Sequence, residues 1–210
     1  MRAAFIITLA MLAGCGPKML TLPDDAIDRA ATCGIVAAAE ARIGTDVTAD
    51  LSFPAQTRII HHALLAGAGG EEFAADRATA VSRRMAELQE EVVAGKWQAL
   101  APACQDAFPP VSSTTLSLPG DRLEAQLGCD ELADFTAKAL ASQGSAYDRE
   151  LGELASLNRT LDRTIGPALR ARVGAGIEAQ QALRARALSS IARTGPLAAV
   201  LNECRRRFDS

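Results

Sequence analysis

The chain has 210 residues, with 22 Lys/Arg against 25 Asp/Glu and a formal net charge of −3. Ala, Leu and Arg are abundant and Phe, Trp and Tyr make up only 4%, a composition that favours helix over strand. Net acidity and few aromatics speak against a nucleic-acid partner, and the length suffices for one medium domain or two small ones.

At the N-terminus, Arg2 precedes an apolar run over residues 3–12, and Leu12-Ala13-Gly14-Cys15 closes it. About ten apolar residues are too few to span a bilayer as a helix, which takes roughly 20, so the pattern is that of a cleaved export signal. The cysteine directly after Leu-Ala-Gly resembles the lipobox of bacterial lipoproteins. That resemblance implies removal of residues 1–14, a diacylated thiol on Cys15 as the new N-terminus, and a short tether over residues 15–21. Two or three acyl chains anchor durably, where a single chain binds only marginally. Gly16 stands where enterobacterial lipoproteins kept at the inner membrane carry Asp, which implies the outer membrane, facing the periplasm.

The first helix is expected to start at Pro23-Asp24-Asp25, where acids favour a helix N-terminus, and to stop by Gly44. A second starts near Ser52, with Pro54 in its first turn, and ends at Gly67-Ala68-Gly69-Gly70. Ala74, Ala78, Val81, Met85, Leu88 and Val92 recur in steps of four and three, the seam of a long third helix closed by Gly95. A short fourth helix falls near residues 96–107. Residues 109–117 read as a linker, with some strand propensity over 111–118. Beyond it a helix is expected over 121–142, then a second long seam through Tyr147, Leu151, Leu154, Leu157, Leu161 and Ile165. Gly166-Pro167 should break or kink that helix, with helix resuming through Leu183, Leu188 and Ile191 and stopping at Gly195-Pro196.

An internal repeat organises these elements. Leu22, Pro23, Asp25, Ile27, Asp28 and Cys33 recur as Leu118, Pro119, Asp121, Leu123, Glu124 and Cys129, each 96 positions on. Gly95, Leu100, Cys104 and Phe108 correspond to Gly195, Val200, Cys204 and Phe208, now 100 positions on. The expected fold is all-α, two tandem units of about four helices each, over 22–108 and 118–210, packed together. After Cys15 four cysteines remain, an even number that reads as two disulfides in an exported chain. If each unit folds on itself, Cys33 pairs with Cys104 and Cys129 with Cys204. Closing a loop of about 70 residues contributes roughly 4 kcal/mol in the chain-entropy model.

Catalytic motifs are missing. His61 and His62 are adjacent, so they cannot chelate one metal as an i, i+4 pair does; His61 is expected to be half-buried and His62 exposed. Gly174-Ala175-Gly176-Ile177-Glu178-Ala179 matches G-x-G-x-x-G/A but lacks the preceding strand that makes it a pyrophosphate turn. No metal or cofactor is expected, and no catalytic residue. Residues 157–210 carry ten Arg against four acids, and Arg205, Arg206 and Arg207 are a candidate contact surface, with neutralisation of a helix C-terminus as their plainer role. The expected function is that of a non-enzymatic envelope lipoprotein, membrane-tethered through Cys15 and binding another envelope protein. The alternatives are a carrier of a lipid-like ligand, in a cavity lined by Met85, Leu88, Leu154 and Leu161, or an enzyme without a recognisable motif.

Overall fold

A computed structural model of the chain describes residues 20–46 and 48–208. The signal segment, the lipobox and Cys15 lie outside them. Nine α-helices and two short 3-10 turns occur among the described residues, and no strand. They are α1 (Ala26–Ala41), α2 (Phe53–Gly67), α3 (Ala75–Ala94), α4 (Ala101–Ala107), α5 (Pro109–Ser112), α6 (Arg122–Ala141), α7 (Asp148–Val173), α8 (Ile177–Ile191) and α9 (Leu197–Phe208).

The two repeated Leu-Pro segments begin helices in the same way. Asp25 Oδ1 accepts from the backbone N–H groups of Ile27 at 2.9 Å and Asp28 at 3.0 Å. Its repeat equivalent, Asp121, accepts from Glu124 N–H at 2.9 Å. In both places an aspartate satisfies donors that the first helical turn leaves without partners. The cysteines pair as the repeat predicts, Cys33 with Cys104 and Cys129 with Cys204. Each bond joins the first helix of its repeat to the last.

Helices α1, α2 and α3 pack on one another, and α6 packs against α7 and α8. Glu40 late in α1 pairs with Arg58 early in α2, and Asp28 early in α1 pairs with Arg84 of α3. Gly128 lets α6 approach α8, since a Cβ there would sit 3.0 Å from Ile191 Cβ and 3.1 Å from the Ala187 carbonyl. The largest buried cluster is built on Leu127, Leu132, Leu157, Leu161, Ile165 and Leu201, and it reaches Leu64 of α2 and Ala68 just beyond it. Two smaller clusters lie around the Cys33–Cys104 bond and around Ala30, Ala31, Ala63 and Val81.

One expectation of the fold is corrected. Gly166-Pro167 does not break α7, which runs on for 26 residues to Val173. Pro167 withholds one N–H from the ladder, but Ile165 and Leu169 on either side of it are buried. The break comes at Gly174, in the left-handed region at φ 79°, so the G-x-G-x-x-A sequence is simply the turn into α8. The 109–117 stretch contains a helical turn, α5, and no strand; its remainder lies across Gly195, where a Cβ would meet the Thr115 carbonyl at 3.1 Å.

Candidate functional site

A half-open groove of about 940 Å³ lies between α1, α2, α3 and the C-terminal end of α6. Each of the first three helices turns one face to it. On α1 that face is Ile35, Ala38, Ala39 and Arg42; on α2 it is Gln56, Ile59, Ile60 and Ala63. Both sets follow the i, i+3, i+4, i+7 spacing of a single helical stripe. Ser82, Met85, Ala86, Gln89 and Val93 do the same on α3, and Phe135 and Ala139 close the side formed by α6. The space exists because alanines stand at five of these positions, too short to meet across it.

The groove is apolar at its floor, where Ile35, Ile59 and Ala63 are buried. Its mouth is apolar too, with Ile43 68% and Val93 49% exposed. None of the described lining residues carries a carboxylate, and the one charged group is Arg42. That guanidinium is held by the carbonyls of Asp46 and Ala49. Ser82 and Ser142 donate their hydroxyls back to their own helix, to Ala78 and Ala139. Gln143 donates to Ser142 at 3.3 Å, so the polar groups that remain are the amides of Gln56 and Gln89 and the indole N–H of Trp97. A few amides over an apolar floor suit an uncharged or aliphatic ligand.

Of the four residues expected to line a cavity, Met85 lines this groove and Leu154 lines a smaller one edged by Arg149, Glu150, Glu153 and Arg205. Leu88 packs in the small clusters of the first three helices, and Leu154 and Leu161 are buried in the largest core. The α7 seam packs on α6 and α9, and the space beside Leu154 is edged by those charged side chains. The three terminal arginines each have a nearby partner. Arg205 donates to Glu153 at 2.6 Å, Arg206 to Glu203 at 2.8 Å, and the Arg207 guanidinium lies 5.4 Å from the Phe208 ring centre. The groove could have been read from the alanines flanking Ile35, Ile59 and Met85, but only with the helix pairing in hand.

The two histidines form a separate buried feature. His61 is 1% and His62 3% exposed, which corrects the expectation that His62 faces solvent. Phe108, just after α4, covers it, with ring centres 5.0 Å apart in edge contact. His61 Nε2 donates to the Ala192 carbonyl at 2.8 Å, at the end of α8. Neither Nδ1 has a partner. Burial pushes His61 down to about 4 and His62 to about 3, the latter helped by the charges of His61 and Arg58. Both rings are therefore neutral near pH 7. In the reverse direction, Ser189 and Arg193 of the α8 end donate to the carbonyls of Ala68 and Gly70 just beyond α2. The ends of α2 and α8 thus satisfy each other's carbonyls, and the histidines act as packing and clasp residues.

Among the described residues no group of three or more His, Cys, Asp or Glu is placed to hold a metal ion, and no helix is long and apolar enough to cross a membrane. No family model, curated protein or solved structure matches the chain.

Proposed function

We propose that the chain is an envelope lipoprotein, tethered by acyl chains on Cys15 to the outer membrane and facing the periplasm, that works by binding rather than by catalysis. The groove between α1, α2, α3 and α6 is its working surface. The observation that carries this reading is the groove's lining: an apolar floor, an apolar mouth and no carboxylate. Such a lining offers binding energy through burial of apolar surface and no acid–base pair. The Leu12-Ala13-Gly14-Cys15 sequence and the two disulfides fit an exported, anchored chain.

A photo-crosslinking residue placed in the full-length protein in cells tests it, at Ile43 or Val93 on the groove mouth and at Ile177 as a distant exposed apolar control. Adducts from the first two positions, absent from the third and reduced by Cys15→Ala, are expected. Equal adducts from all three positions would sink the groove as working surface. An unacylated Cys15 in the mass of the N-terminal peptide would sink the anchor. Carriage of a small apolar ligand is a second reading, favoured by the groove's volume, which lies in the range of small-molecule sites.

A further inference from the structure

We propose that the groove takes up an acyl chain of a phospholipid from the membrane to which Cys15 ties the protein. The inference rests on the reading of the groove as the working surface and names its ligand.

Three observations converge on it. Ile43 and Val93, two of the three exposed large hydrophobic side chains among the described residues, both stand on the groove. They give a continuous apolar path from the surface to Ile35 and Ile59 at the floor. Such a path lets a hydrocarbon chain slide in without its methylenes meeting a buried charge. Second, the interior offers neutral amides and small aliphatic walls, with no charged group free to pair. An aliphatic chain asks for that lining; an acidic or basic peptide does not.

The third observation is where the described chain begins. Leu20 packs on Gly95 so closely that a Cβ there would lie 2.5 Å from Leu20 Cδ1. It joins the cluster that contains Met85 and Trp97, and both of these line the groove. Only four residues lie between Cys15 and Leu20, and the five steps, even fully extended, reach at most about 18 Å. A lipid on Cys15 therefore keeps this end of the groove at the membrane surface. The most abundant apolar ligand within that radius is the acyl chain of a neighbouring phospholipid.

Trp97, the single tryptophan of the chain, is a reporter already in place. The full-length lipidated protein would be reconstituted into vesicles of phospholipid brominated along its acyl chains, since bromine quenches tryptophan fluorescence only at contact. Strong quenching of Trp97 is expected. In Ala39→Leu with Ala86→Leu, which fills the groove from α1 and α3, apparent quencher affinity should fall about tenfold or more. Should that variant fold poorly, Ile43→Glu with Val93→Glu changes only exposed mouth residues and should weaken quenching in the same direction. No quenching of the wild type overturns the proposal, whether the groove is empty, filled by a protein partner, or filled by the unbrominated chains on Cys15. Equal quenching in all variants also overturns it, since Trp97 would then merely lie against the bilayer. Failure of the anchor is seen separately, as an unacylated Cys15 in the peptide mass, and leaves the comparison of variants intact.

Discussion

Lowering the pH from 7.5 to 5 should remove about 4 kcal/mol of folding stability, because two imidazoles stay neutral in the folded protein and take up protons in the unfolded one. Burial holds His61 at about 4 and His62 at about 3, against an ordinary value near 6.5. For a depressed histidine the folded state binds fewer protons, so its stabilising contribution is complete above about pH 7. It is lost as the pH falls through 6.5 towards the folded value. At pH 5 each ring then costs about 2 kcal/mol, and the two together about 4 kcal/mol. Typical net stability is about 5–15 kcal/mol, so the loss is a large share, equivalent to roughly 10 °C in melting temperature for a chain of this size.

Urea unfolding between pH 7.5 and 5 measures this directly. Carboxylates held below their ordinary range, such as Asp28 beside Arg84 and Glu203 beside Arg206, lose their contribution progressively from about pH 5 downward and leave most of the window clear. Burial raises the Asp130 carboxyl, so proton uptake there offsets part of the loss at the acid end. His62→Leu keeps an apolar contact with Phe108 and removes a ring whose Nδ1 has no partner. It should halve the pH dependence. His61→Gln added to it, with an amide N–H to replace the bond to Ala192, should flatten the curve. A wild-type stability unchanged from pH 7.5 to 5, or a slope untouched by both substitutions, refutes the argument.

Four further outcomes are expected, each read by urea unfolding at pH 7.5. Replacing either cysteine pair with alanine should cost about 4 kcal/mol, since each bond closes a loop of similar length, 71 and 75 residues apart. Arg184→Leu strips the buried Asp130 of its 2.8 Å partner and should cost about 2–3 kcal/mol, less if Asp130→Asn is made with it. Pro167→Ala, on the exposed side of α7, should raise stability by about 1–3 kcal/mol by restoring one ladder bond. Gly128→Ala should lower it by about 1–3 kcal/mol, because Ile191 and the Ala187 carbonyl must give way.

What the sequence reveals, and what it hides, follows the range of the interactions involved. Helix starts at Asp25 and Asp121 are legible because a capping carboxylate acts on N–H groups two or three residues away. The disulfide pairing is long-range, yet legible, because the repeat supplies two copies of the same solution. Pro167 misleads because the local cost of one absent N–H is weighed without Ile165 and Leu169, whose burial depends on α6. His62 misleads similarly: a helical wheel places it opposite the α2 core face, and only the chain after α4 brings Phe108 over that side. The groove is the extreme case. Its alanines look like ordinary helix formers in each helix, and become a cavity only when three helices and the end of α6 stand them opposite one another. Alanines at 30, 31, 63 and 66 instead give a closed cluster where Val81 and Leu88 fill the space between helices. Ala63 belongs to both. Whether small residues produce tight packing or an open groove is thus decided by the size of the residue facing them, a property of helix pairing rather than of any one segment.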